Sequence, residues 1–197
     1  MKKSSFILSC IISGIFFAEL SGCGRPAPTA PEIEPEVMAK KALELYDANG
    51  DGKISGDELD KTPALAFSLK EMDTDKDRAL SAAEIQSRLE AWQNSGITLT
   101  APAFVCKIKG KTVKEGTMRL VPEAFLGETY PIAEGTFING TCQLRAPNKG
   151  NYQAIPLGFY NVEVSSPAGN ISVGAVGVEV FDESKYFQRN HMYHISD

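Results

Sequence analysis

Positive charge is what this chain has least to spare. Its 20 Lys and Arg stand against 25 Asp and Glu, giving a net charge of −5. A nucleic-acid binder needs a basic face, so that class is excluded. Histidine is scarcer still, with only His191 and His194, three apart near the C-terminus. That spacing suits a metal pair only on a helix, and the surrounding residues read as strand or tail, so a solvated pair is expected. There is no His-Glu-x-x-His helix, no Gly-x-Ser-x-Gly elbow and no glycine-rich phosphate loop. The longest apolar run, Phe6 to Ala18, has 13 residues, short of the roughly 20 a spanning helix needs. With 11 Pro and 17 Gly in 197 residues, the chain is neither collagenous nor wholly disordered. One large or two small folded domains fit, and no catalytic reading suggests itself.

Lys2 and Lys3 precede the apolar run, which ends in Leu20-Ser21-Gly22-Cys23. A charged start, a short apolar stretch and small residues before a cleavage point are the parts of a secretion signal. The last four residues resemble the lipobox of bacterial lipoproteins. That resemblance implies a signal peptide over residues 1–22, cleavage before Cys23, and a diacylglycerol on its sulfur that anchors the chain in a membrane. Gly24 stands where Asp is the usual inner-membrane retention mark, so the resemblance favours the outer membrane or cell surface. Residues 23–35 carry the lipidated Cys and a proline-rich stretch that reads as a semi-extended tether.

Residues 36–95 are rich in Ala, Leu, Lys and Glu and carry 13 acidic against 8 basic residues. Residues 96–197 turn to Val, Thr, Gly and Phe in short alternating runs, with 9 of each sign. The charge excess therefore sits in the helical part, where a cation site belongs. Asp47-Ala-Asn-Gly-Asp-Gly-Lys-Ile-Ser-Gly-Asp-Glu58 places Asp47, Asn49 and Asp51 at positions 1, 3 and 5 of a twelve-residue loop. Lys53 offers its carbonyl at position 7, Ser55 stands at 9, and Glu58 at 12 can chelate with both oxygens. Gly52 at position 6 supplies the left-handed backbone that wraps the loop. This pattern resembles the EF-hand calcium loop, and Ca2+ is the ion it implies.

A second window, Asp73-Thr-Asp-Lys-Asp-Arg-Ala-Leu-Ser-Ala-Ala-Glu84, repeats the spacing with Asp73, Asp75, Asp77, Ala79, Ser81 and Glu84. Arg78 occupies position 6, where a non-glycine residue at positive φ costs about 1 kcal/mol. The window reads either as a second site or as a structural partner loop. Ile54 and Leu80, both at position 8, are expected to join the two by a short β-bridge. Val37, Lys41, Leu45 and the residues between them read as an amphipathic helix entering the first loop. Pro63 should end its exit helix early. Ile85, Leu89 and Trp92 form the apolar face of a last helix. Met38 and Met72 are too few to line the target groove of a calcium sensor.

In the C-terminal part, Phe104, Cys106 and Ile108 alternate with Val105, Lys107 and Lys109. Cys142 and Leu144 share a face, as do Tyr160, Val162 and Val164, and later Val176, Val178 and Val180. Short strands separated by turns point to a sandwich or barrel. The stretches Val105–Pro122, Gly135–Leu144 and Gly158–Val164 resemble carboxypeptidase-regulatory-like, transthyretin-like β-sandwich domains of bacterial surface proteins. The fold class expected is thus α+β: a paired EF-hand helical module over 36–95, then an antiparallel β-sandwich over 96–197. Cys106 and Cys142 either join two strands as a disulfide, in a compartment that permits one, or are two small buried hydrophobes.

Two functions follow. One is a lipid-anchored, non-catalytic calcium-binding envelope protein whose sandwich contacts an envelope protein or polysaccharide. The other is an adhesive or carbohydrate-binding surface lipoprotein in which calcium is only structural.

Overall fold

The computed structural model describes residues 30–146, 153–181 and 192–197. The signal segment, Cys23 and His191 lie outside the described residues. Helix α1 (Pro35–Tyr46) opens on proline, whose fixed φ suits a first helical turn. It buries Met38, Ala39 and Ala42, while Val37 and Leu45 are 57% and 50% exposed. The amphipathic helix expected here is present, and the residues between Val37 and Leu45 supply its buried face. The small side chains of Ala39 and Ala42 let another helix approach closely.

Beyond the first loop come β1 (Lys53–Ser55), a 3-10 turn over Gly56–Lys61, and α2 (Pro63–Met72). Pro63 bars Thr62 from helical geometry, and Thr62 sits at φ −135°. The exit from the first loop thus stays a short 3-10 helix of two turns. After the second loop, β2 (Ala79–Ser81) leads into α3 (Ala82–Asn94), which packs on α1. Ile85, Leu89 and Trp92 are its buried face, as their spacing predicts.

Eleven further strands follow among the described residues: β3 (Leu99–Thr100), β4 (Ala103–Ile108), β5 (Lys111–Thr112), β6 (Thr117–Pro122), β7 (Ala133–Ile138), β8 (Thr141–Gln143), β9 (Ile155–Pro156), β10 (Gly158–Ser166), β11 (Gly169–Ile171), β12 (Gly177–Val180) and β13 (Met192–Ser196). The main sheet runs β11-β10-β6-β7-β8-β4-β13, with β12 added on β10 and β5 on β4. All its pairings are antiparallel except β13 on β4. β7 pairs with β6 along Ala133–Thr136 and with β8 at Phe137–Ile138. The sheet therefore curls over itself into a half-barrel around Phe104, Ile108, Leu120, Tyr160 and Val162. The chain is α+β: a short helical region bearing the loops, then a large, mainly antiparallel sheet.

The two parts share a core. Met38, Leu65, Ile85, Leu89 and Trp92 from the helices pack with Phe125, Leu126, Leu157, Phe159 and Phe181 from the sheet side. β10 is consequently buried on both faces, with Tyr160 and Val162 in the half-barrel and Phe159 beneath the helices. Where α2 crosses β12, contact is backbone to backbone. A Cβ built on Gly177 would lie 2.0 Å from Ala64 N and 2.2 Å from Pro63 C.

Cys106 and Cys142 are free, fully buried thiols, so no disulfide joins the strands. Register explains this. Cys142 stands opposite Phe104 on β4, which leaves Cys106 on the diagonal. Diagonal neighbours sit about 7–8 Å apart, beyond the usual Cα separation of a disulfide. Burial pushes the Cys106 thiol up to about 11 and the Cys142 thiol up to about 12.

Candidate metal centre

The first loop is built on hydrogen bonds from its own backbone. Asp47 caps the end of α1 and accepts from Gly50 N at 2.7 Å and Gly52 N at 2.9 Å. Asn49 Oδ1 accepts from Asp51 N at 2.8 Å, and Asp51 Oδ1 from Lys53 N at 2.9 Å. Each of these side chains turns inward because a backbone N–H two to five residues ahead needs an acceptor, which is the habit of Asx residues in turns. Glu58 closes the ring from the far end. Its Oε1 accepts from Ala48 N at 2.8 Å and its Oε2 from Ser55 N at 3.0 Å. Gly52 sits at φ 84°, the left-handed conformation that brings its N–H onto Asp47.

The second loop repeats this scheme. Asp73 Oδ2 accepts from Arg78 N at 2.9 Å, the counterpart of the Gly52 bond to Asp47. Arg78 takes φ 66° to make it, so the arginine adopts the glycine conformation, with its side chain exposed. Asp77 Oδ1 accepts from Ala79 N at 2.9 Å. Glu84 accepts from Thr74 N and Ser81 N, both at 2.9 Å, and from both hydroxyls. Burial pushes the Glu84 carboxyl up, but the Ser81 and Thr74 donors outweigh it and hold it below its ordinary value.

The loops face each other through β1 and β2. Ile54 pairs with Leu80, and both are fully buried. Asp73, Asp75 and Glu84 bring carboxylate oxygens within 4.8 Å of one another. Hard oxygen donors on a short flexible loop, with no nitrogen or sulfur among them, suit Ca2+ better than a transition metal. The donor set therefore fits the ion that the motif implies. Asp47, Asn49, Asp51, Lys53, Ser55 and Glu58 would hold it in one loop, and Asp73, Asp75, Asp77, Ala79, Ser81 and Glu84 in the other.

Three features here have no local signature in the sequence. Lys53, read as a carbonyl donor, sends its ammonium across the bridge, where it hydrogen-bonds Asp77 Oδ2 and lies 3.7 Å from Asp75 Oδ2. That hydrogen bond raises the Lys53 ammonium and lowers the Asp77 carboxyl. Glu123, 2% exposed, accepts from Tyr46 Oη at 2.8 Å and from Ala64 N at 3.4 Å. Glu179, 6% exposed, takes a two-pronged Arg88 guanidinium at 2.7 and 3.0 Å and Trp92 Nε1 at 2.8 Å. Glu179 stands between two valines in β12, where alternation alone assigns it to the solvent side. The helices occupy that side.

His194, on β13, is exposed. A family model described as EF hand matches residues 39–61, spanning the latter part of α1, the first loop and its exit turn. Neither the comparison with curated proteins nor that with solved structures finds a match.

Proposed function

We propose that this chain is a non-catalytic calcium-binding protein held at the bacterial envelope by a lipid on Cys23, with its β domain as the surface that meets a partner. The observation that carries the calcium reading is the pair of loops. Each wraps its carboxylates inward on its own N–H groups, and each is closed by a glutamate at position 12. The anchor rests on the sequence pattern at residues 2–23. The non-catalytic reading draws support from the buried carboxylates outside the loops, since Glu123 and Glu179 are engaged by neighbouring helices. Calcium's contribution in this reading is to tie the loops together, and through α1, α2 and α3 to stabilise the core shared with the sheet.

One feature favours the adhesive reading as a second choice. The outer face of β6, β7 and β8 forms a shallow cavity of about 740 Å³ lined by Thr117, Arg119, Glu134, Thr136, Gln143 and Arg145. Hydroxyl, amide and guanidinium groups on an open face suit the hydroxyls of a polysaccharide. Cell-wall glycan binding that is lost in Gln143→Ala but retained in chelator would support it.

Calorimetric titration of residues 24–197 with Ca2+, with Asp47→Ala alongside, tests the main reading. Two binding events, one lost in the variant, are expected. No heat at millimolar calcium contradicts it.

A further inference from the structure

Besides their differences at positions 3 and 6, one side chain makes the two loops unequal. Lys53 lies in β1, held by its pairing with Ser81. Its stem spans the bridge and delivers the ammonium to Asp75 and Asp77, positions 3 and 5 of the second loop. Nothing returns the contact. Ala79, which holds position 7 in the second loop, is paired with Ser55 and has no charge to send. The second loop also carries Lys76 and Arg78, both exposed, and among the described residues neither forms an ion pair with a loop carboxylate. Among the described residues, Lys53 alone puts a positive charge among the oxygens that a divalent ion would use.

We propose that Lys53 is a tethered competing cation for the second loop: its ammonium neutralises Asp75 and Asp77 when no divalent ion is present and must withdraw before one can bind. This rests on the calcium reading above. Lysine suits the task, being a compact point charge on a flexible stem. Its side chain is 38% exposed, so withdrawal into water meets little obstruction. A doubly charged ion that gathers carboxylates from positions 1, 3, 5 and 12 displaces a singly charged group that touches two of them. The first loop, with no such competitor, fills at lower calcium. The second fills only once calcium is high enough to expel Lys53, so the pair responds over a wider concentration range than two equal sites would.

The test is a calcium titration of residues 24–197, which contain every described element and both core clusters. It is read by amide shifts at Gly52 for the first loop and Arg78 for the second. Lys53→Gln keeps the backbone carbonyl that position 7 offers the first loop, and should tighten the Arg78 transition about three- to tenfold, more than it moves the Gly52 transition. Lys53→Arg should keep the wild-type value. Lys76→Gln removes the same charge from the second loop without touching its carboxylates, and should move the Arg78 transition by no more than about twofold. An unchanged Arg78 transition in Lys53→Gln, or equal shifts in Lys53→Gln and Lys76→Gln, would overturn the proposal while the calcium reading stands. A flat titration at both amides in every variant would overturn both.

Discussion

Tyr46 donates its hydroxyl to Glu123 Oε2 at 2.8 Å across 77 residues of sequence. Tyr46 is the last residue of α1 and the neighbour of Asp47, which opens the first loop. Glu123 follows β6, and its second oxygen receives Ala64 N from the start of α2. A single buried carboxylate thus ties both helices that lead into the loops to the sheet. Glu179 does the same for α3 through Arg88 and Trp92. The apolar faces of the helices are already covered by Phe125, Phe159 and Phe181. In a calcium sensor, those faces open to receive a target. Here the β domain holds that place within the same chain.

Burial pushes the Glu123 carboxyl above its ordinary value, although the Tyr46 and Ala64 donors pull it back down. Folding therefore favours its protonated form. Its contribution to stability is greatest below the unfolded value near 4.5, falls as pH rises through the folded value, and is constant above that. Glu123→Gln keeps an acceptor for Ala64 N and turns an amide donor toward Tyr46 Oη, which then accepts instead of donating. Subtracting its urea-denaturation profile from wild type should leave a decline in wild-type stability with rising pH that begins near pH 4.5. A flat difference would show that Glu123 is not desolvated.

Glu179→Ala should cost about 3 kcal/mol or more, because the Arg88 side chain is only 10% exposed and Trp92 Nε1 loses its acceptor. Replacing both members, as Arg88→Met with Glu179→Leu, should recover much of that loss. Urea midpoints followed by the fluorescence of Trp92, the one tryptophan in the chain, measure both.

Gly177→Ala places a methyl group against the backbone of Pro63 and Ala64, which cannot give way as a side chain would. A loss of about 2–3 kcal/mol is expected, with α2 displaced from β12. Thermal melting checks the cost, and amide exchange at Leu65 and Val178 checks the site.

The sixth position of each loop isolates backbone strain from packing. Gly52 has nothing within 4 Å of a built Cβ, so Gly52→Ala should cost about 1 kcal/mol from its positive φ alone. Arg78→Gly should return up to about the same amount in the second loop. Chemical denaturation in chelator compares them. A destabilised Arg78→Gly would mean that the arginine side chain contributes more than its conformation costs.

Both loops were legible in the sequence because everything that shapes them lies within twelve residues, from Asp47 to Glu58 and from Asp73 to Glu84. The same holds for Ile54 and Leu80 and for the face of α3. The helix α1 is legible in its sequence, but which of its residues face inward is not. Ala39 and Ala42 are buried because α3 approaches closely, whereas Val37 and Leu45 remain exposed. The joint between helices and sheet was not legible at all. Tyr46 and Glu123 are 77 residues apart, and Arg88 and Glu179 are 91 apart. No periodicity in either segment reports that a buried carboxylate waits in the other. Of the two alternatives for Cys106 and Cys142, the structure has the buried thiols: two inward-facing cysteines share a core, but only the strand register decides whether they stand opposite each other.

Glu123, Glu179 and the shared aromatic core join the loops and the β domain into one cooperative unit. Scanning calorimetry of residues 24–197 in calcium and in chelator tests it most directly. At a hundredfold excess over the first loop's Kd, calcium in that loop alone should add about 2.7 kcal/mol. A single transition is expected to move up by about 5–10 °C for a domain of this size. Two transitions, of which only one responds to calcium, would instead make the helical and β parts independent neighbours.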